Sequence, residues 1–250
     1  MKTYDEYDRP SVAADIAAFG IATENSENKR QGKVKKLKLL LIRRGTEPFA
    51  DKFALPGGFL RQNETIEQTA QREFAEETGV KSVKFISFGI YSEPERDPRG
   101  WIISSGYLAL LNTVTLTTAE NSDAAQALWF DFSYADNGSS EEISLSCENE
   151  KIVIRRENGS ISANSLAFDH GRMIYDAFMK LRDEVLYHNI VFELLPELFP
   201  ISDLQQIHET ITGTKECAAN FRRKMKEKIT ETEFYEETTA HRPSKLYTRK

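Results

Sequence analysis

Three glutamates, Glu73, Glu76 and Glu77, stand at i, i+3 and i+4 in a Glu-, Ala- and Gln-rich stretch from Ile66 to Thr78 that contains neither Gly nor Pro. Such a stretch is expected to be a helix, ended by Gly79, and a helix turns all three carboxylates onto one face within reach of a common ion. Carboxylates crowded in this way repel one another unless a cation joins them, and an oxygen-only donor set suits a hard ion such as Mg2+ or Mn2+. Such an ion can make a bound water more acidic and offset negative charge that develops as a bond breaks. Arg72 is placed to hold one of the acids by an ion pair, and Glu64 to fix the loop before the helix. Gly57 and Gly58 let the backbone turn sharply and approach the ion, where the Gly58 carbonyl is a candidate ligand. Glutamates at this spacing also occur on solvated helix faces, so the three acids alone do not decide the matter.

The wider spacing does. From Gly58 the chain reads GFLRQNETIEQTAQREFAEETGV, with Glu64, then Arg72-Glu73-Phe74, Glu76-Glu77 and Gly79-Val80 as fixed points. This resembles the signature of the Nudix superfamily at every fixed position, and the resemblance covers about residues 8 to 132. It implies an α/β/α sandwich in which the signature forms a loop, a helix and a loop. The activity it implies is Mg2+- or Mn2+-dependent hydrolysis of the pyrophosphate bond in a nucleoside diphosphate linked to another moiety. The lead-in RRGTEPFADKFALPGGF and the loop YSEPERDPRG further resemble ADP-ribose pyrophosphatases, making ADP-ribose or a related nucleotide sugar the expected ligand. Arg43 and Arg44 in the lead-in, and Glu93, Arg96, Asp97 and Arg99 in the loop, are the candidate ligand-binding residues, since arginines suit phosphate and ribose. An acidic segment before Trp129 lies where related enzymes supply a further carboxylate, so Asp123 or Glu120 competes with Glu73 for the role of general base.

These residues need a scaffold. Val12 to Ile21 and Leu37 to Ile42 read as strands joined by a polar loop, and apolar runs at Val83 to Tyr91, Ile102 to Leu111 and Leu128 to Phe132 read as further strands. A helix embedded among strands is a mixed α/β pattern. Tyr134 to Asn164 turns polar and suggests a hairpin or an exposed connection, with the domain boundary at its end, giving a first domain of 1–164 and a second of 165–250.

In the second domain, Ala167 to Tyr187 has Met173, Ile174, Ala177, Phe178 and Leu181 at helical spacing. Ser202-Asp203-Leu204 is expected to cap another helix that Gly213 ends, Lys215 to Ile229 a basic helix, and Glu231 to Lys250 a two-stranded wing. That order is what a winged helix-turn-helix requires. Asn220, Arg222, Arg223 and Lys226 crowd the basic helix while Arg242 and Lys245 load the tail, a local basic face on a chain of formal net charge −6. Glu231, Glu233, Glu236 and Glu237 dilute that patch, so charge alone would equally allow a solvated helix. The segments LAFDHGRMIYDAF, FELLPELFPISDLQQIHETI, NFRRKM and HRPSKLY resemble the winged-helix half of Nudix-related transcriptional regulators of NAD or sugar metabolism. That resemblance implies a homodimer that binds double-stranded operator DNA while its Nudix domain senses a metabolite.

Hydrophobic residues at 40% and charged residues at 29% are ordinary for a globular chain and argue against wholesale disorder. The start MKTYDEYDRPS has no apolar core of a signal peptide, and no run is apolar enough for a membrane helix. Cys147 and Cys217 make neither a CxxC pair nor a disulfide framework, which points to the cytoplasm. Retention of Glu73, Glu76 and Glu77 ranks a Nudix hydrolase first, with a DNA-binding regulator whose Nudix domain senses its ligand as the alternative.

Overall fold

A computed structural model describes residues 7–25, 33–81, 83–114, 124–236 and 243–250. Strands β1 (Ser11–Asn25) and β2 (Lys33–Arg44) are the long apolar runs expected from the sequence, and they lie side by side at the centre of a ten-stranded sheet. The short strands β3 (Phe53–Ala54) and β4 (Gly57–Phe59) bracket Leu55-Pro56 and pair antiparallel with β2 and β1. Helix α1 (Ile66–Thr78) follows, then β5 (Phe85–Tyr91) and β6 (Ile102–Leu111), an antiparallel pair next to β1.

The polar region is more ordered than its composition suggests. β7 (Ala124–Asp136), β8 (Ser140–Cys147), β9 (Glu150–Glu157) and β10 (Ser160–Ala163) form an antiparallel meander, so the sheet runs β10-β9-β8-β7-β2-β1-β6-β5. Alternation explains it: Ile143, Leu145, Ile152 and Ile154 are buried, while Ser144 and Val153 between them are half-buried and Lys151 and Arg155 are exposed. Helix α2 (His170–Tyr187) buries Met173, Ile174, Ala177, Phe178 and Leu181 at the spacing read from the sequence.

Two compact units result, one comprising Met1–Phe19, Leu39–Ala109 and Thr115–Phe178, the other Gly20–Lys38, Leu110–Val114 and Met179–Lys250. The first is built around Phe19, Phe53, Phe74, Phe130 and Phe178, all fully buried, with Phe53 and Phe130 meeting edge to face at 5.0 Å. In the second, a 3-10 turn at Ile190–Leu194 and β11 (Phe199–Pro200) lead into α3 (Ile201–Thr212), α4 (Ala218–Met225), β12 (Ile229–Tyr235) and β13 (Lys245–Arg249). The strands form a small sheet in the order β11-β13-β12.

Two sequence expectations need correction here. α3 begins at Ile201 with Pro200 in the capping position and no side-chain cap, so Ser202 and Asp203 lie inside its first turn. The fixed φ of proline supplies the entry that a capping hydroxyl would otherwise favour. The basic helix is also shorter than Lys215 to Ile229, because Phe221 and Met225 are its only buried side chains and β12 begins at Ile229.

Candidate functional site

The acidic helix is held at both ends. Thr65 accepts a hydrogen bond from the Gln68 backbone N–H at 3.2 Å while the Gln68 side chain accepts from the Thr65 N–H at 2.8 Å, a reciprocal cap. Gly79, at φ 74°, closes the other end by donating to the Ala75 carbonyl. Thr69, Ala70, Phe74 and Thr78 face the core, which leaves Glu73, Glu76 and Glu77 along a cavity of about 890 Å3 in the first unit.

Arg72 organises the acids. Its Nε and Nη2 donate to the two oxygens of Glu64 at 2.8 and 3.0 Å, and its Nη1 reaches Glu73 at 2.5 Å and Glu76 at 3.4 Å. The Arg72 hydrogen bond holds the Glu64 carboxyl down at about 2, and the same contact raises Arg72. Glu77 turns the other way and accepts the Gly57 N–H at 3.1 Å. Burial, followed by the charges of Glu73, Asp15 and Glu76, pushes its carboxyl well above the usual carboxylate range. The three glutamates therefore share one cavity without meeting at one point, and among the described residues no group of three His, Cys, Asp or Glu side chains is gathered tightly enough to hold a metal.

The donors are nevertheless of the type a hard divalent cation takes: all are oxygen, burial and then the charges of acidic neighbours destabilise the most buried of them as an anion, and the backbone beside it is glycine. A Cβ on Gly58 would stand 2.3 Å from a Glu73 oxygen, and one on Gly57, at φ 154°, would stand 2.2 Å from the Ala14 carbonyl. At Gly57 the obstacle is the β1 backbone, so only glycine fits there, whereas at Gly58 a side chain would displace the Glu73 carboxylate.

The PERDPRG loop contributes to the same cavity with a division of labour the sequence did not reveal. Asp97, almost fully buried, accepts from the Arg99 backbone N–H at 2.9 Å and from its Nε at 3.0 Å. Burial alone would raise this carboxyl, but its bonds to Arg99 hold it below the usual range. Arg96 is sealed in a two-pronged ion pair with Asp169, Nε to Oδ2 at 2.9 Å and Nη2 to Oδ1 at 2.5 Å. Arg44, Arg96, Asp97 and Arg99 all line the cavity. Arg43 and Glu93 lie elsewhere: Arg43 pairs with Glu150 and sits 4.7 Å over the Phe53 ring, while Glu93 accepts from Arg172 at 2.5 Å. Asp123 and Glu120 fall outside the described residues.

Three further cavity residues were not singled out from the sequence, although Phe168 and His170 lie within LAFDHGRMIYDAF. Asp15 on β1 accepts a hydrogen bond from the Ser104 hydroxyl. His170, fully enclosed at the head of α2, takes the Leu55 N–H on Nδ1 at 2.9 Å and presents Nε2 to Asp15 at 3.6 Å. Its burial holds the imidazole below its ordinary value. Phe168 precedes it and shares the cavity wall. All three lie far in sequence from the acidic motif, so its spacing could not have found them.

In the second unit, Phe221 and Met225 bury one side of α4 and Phe221 meets the His208 ring of α3 edge to face at 5.4 Å. The opposite side presents Asn220, Arg222 and Arg223, with Lys226 at the helix end, all exposed. Arg223 donates to Asn220 at 3.2 Å and Lys224 pairs with Glu216 at 2.9 Å. Lys245 on β13 is tied into the wing, 4.5 Å over the Tyr235 ring and 3.6 Å from Glu231. Arg242 falls outside the described residues.

A mixed α/β domain with an acid-lined cavity, followed by a helix-turn-helix with a wing, defines a two-part class of protein. Residues 17–145 match the NUDIX domain and residues 191–248 the NrtR DNA-binding winged helix domain. The chain belongs to the NUDIX family, with a C-terminal winged helix domain. It is 28% identical over 245 residues to the ADPR responsive transcriptional repressor NtrR of Acinetobacter baylyi, covering 97% of this chain and 83% of that protein. It is 36% identical over 163 residues to an ADP-ribose pyrophosphatase of Methanocaldococcus jannaschii, covering 64% and 82%. The crystal structure of Shewanella oneidensis NrtR complexed with a 27mer DNA is similar with a TM-score of 0.67 at 26% identity, over 96% of this chain and 93% of that one. Among the described residues, no helix is long and apolar enough to cross a membrane.

Proposed function

We propose that this protein is a DNA-binding regulator whose Nudix domain takes up ADP-ribose or a closely related nucleoside diphosphate derivative. The observation that carries the reading is the exposed face of α4, where Asn220, Arg222, Arg223 and Lys226 stand on a helix anchored by Phe221 and Met225 within a helix-turn-helix and wing. On such a scaffold the second helix enters the major groove while the wing meets the neighbouring backbone. Similarity to an ADPR responsive repressor over nearly the whole chain supports the pairing of ligand and DNA. The working form is a cytoplasmic homodimer, matching the two-fold symmetry of operator sites.

A second reading, hydrolysis of the same ligand, is favoured by the retention of Glu73, Glu76 and Glu77 along the cavity and by the likeness to an ADP-ribose pyrophosphatase. The Gly58 carbonyl and these carboxylates would hold Mg2+ or Mn2+, which supplies charge neutralisation at the pyrophosphate and a more acidic water. Arg72 orients Glu73 and Glu76, and Arg44 and Arg99 give the cavity its cationic wall.

Calorimetric titration with ADP-ribose, with and without Mg2+, and assay of AMP release test both readings. Binding with slow or absent AMP release supports the regulator, metal-dependent turnover that Glu76→Gln removes supports the enzyme, and no binding at all refutes both.

A further inference from the structure

Beyond the stretch matched to the NUDIX domain, the chain returns to the cavity at Ser165–His170. This segment is pinned to β3 along its length. The Phe53 N–H donates to the Ser165 carbonyl at 3.1 Å, the Ala167 N–H to the Phe53 carbonyl at 2.8 Å, and the Leu55 N–H to His170 Nδ1 at 2.9 Å. Ala167 itself is fully buried against Ile42 and Ala54. The pinning holds two residues that are not glycine in the left-handed region, Ser165 at φ 60° and Phe168 at φ 52°. A phenylalanine adopts that conformation only where its surroundings over-determine it, and such positions gather at ligand sites.

What the strained residue does there is carry two cations. The Arg44 guanidinium carbon lies 4.9 Å from the Phe168 ring centre and that of Arg99 lies 5.1 Å from it, both within cation–π range. Arg99 is also 5.0 Å over Phe59, and Phe49 meets the Phe168 ring edge to face at 4.9 Å. Arg44 is steadied by the Pro48 carbonyl at 2.9 Å and Arg99 by Asp97. Burial, and after it the charge of Arg99, lowers Arg44, as expected for two cations brought together on one wall. Planar guanidiniums held in place grip phosphate oxygens with two parallel bonds and lose little freedom in doing so.

We propose that Phe168 is a positioning residue for ligand phosphate, its ring presenting Arg44 and Arg99 to the cavity as an anion clamp. The proposal rests on the ligand reading above and names the group recognised, a phosphate or diphosphate. Arg44 and Arg99 lie within the stretch matched to the NUDIX domain, and the ring that presents them comes from beyond it.

The test is calorimetric titration of the full-length protein with ADP-ribose. Phe168→Leu, which keeps an apolar side chain and loses the ring face, is expected to weaken binding about tenfold, the scale of a desolvated cation–π contact. Phe168→Tyr is expected to stay within about twofold of the parent, because the ring face is retained. Combining Phe168→Leu with Arg44→Lys should cost less than the sum of the single effects, since both remove one arrangement. Equal affinity of Phe168→Leu and the parent, equal weakening by Phe168→Tyr, or strict additivity would overturn the clamp while leaving the ligand reading standing. Should Phe168→Leu fail to fold, Arg44→Lys alone must weaken ADP-ribose severalfold, and parent-like binding would overturn the proposal. No binding by the parent would overturn the ligand reading and the clamp with it.

Discussion

Replacing Asp169 by alanine isolates the ion pair that ties the PERDPRG loop to the head of α2. The Arg96 side chain is 5% exposed and that of Asp169 20%, with two direct hydrogen bonds between them. Removing the aspartate strands a guanidinium that water can barely reach, and breaking a buried pair in this way costs about 3–5 kcal/mol. The partial exposure of Asp169 places the expected loss at the lower end, about 3 kcal/mol. For a chain of this size, 1 kcal/mol moves the melting temperature by about 2–4 °C, so Asp169→Ala should lower it by about 6–12 °C. The opposite deletion, Arg96→Met, should cost less because the stranded carboxylate keeps more contact with solvent. The double replacement Arg96→Met with Asp169→Leu should fall within about 1 kcal/mol of the parent, since neither charge remains buried. Both tryptophans, Trp101 and Trp129, lie in the first unit, so intrinsic fluorescence during thermal unfolding reports on the part that carries the pair. A melting temperature for Asp169→Ala within 2 °C of the parent, measured in the same buffer, would refute the reasoning.

Other consequences follow from the same contacts. Gly58→Ala places a methyl group against the Glu73 carboxylate, so the thermal stabilisation that Mg2+ gives the parent should shrink or vanish while circular dichroism stays native. Phe221→Ala empties a fully buried position beneath α4 at a cost of about 3–5 kcal/mol, and DNA binding should disappear in a gel-shift assay while ADP-ribose binding persists. Arg223→Ala should weaken DNA binding across sequences and reduce the slope of log affinity against log salt by about 1. His208 titrates below its ordinary value because burial, and then Lys224, penalises its charged form. A depressed folded-state pKa gives stability that is present above the unfolded value of 6.5 and lost as pH falls through the folded one. Far-UV melts should therefore show the parent losing stability below pH 6.5 more steeply than His208→Leu, and parallel curves would exclude a role for this histidine.

Helix α1 was legible almost to the residue because its start, its acidic stripe and its glycine stop are all local signals. The apolar strands β1 and β2 were equally plain, and the polar meander β8 to β10 was not, since its inward residues are diluted by charged partners such as Glu142 and Arg155 that pair across strands. The site was legible where a motif wrote it and hidden where the fold assembled it. Arg96 lines the cavity, and its pairing with Asp169 was hidden because that partner lies far along the chain. Asp15, Phe168 and His170 reach the cavity only through pairing of β1 with β4 and of Ser165–Ala167 with β3. The motif alone ranks hydrolysis first, because the carboxylates are retained. The comparisons add likeness to a repressor over nearly the full length beside likeness to an ADP-ribose pyrophosphatase over the first part.

The central claim, that one chain couples an ADP-ribose-type ligand to DNA, is tested most directly by fluorescence anisotropy of a labelled duplex from the gene's own upstream region. The account predicts salt-dependent binding of the duplex by the parent, weaker binding by Arg223→Ala, and a shift in affinity when ADP-ribose is added. No binding at low salt, or binding that ADP-ribose leaves unchanged at concentrations that saturate the Nudix domain, would contradict it.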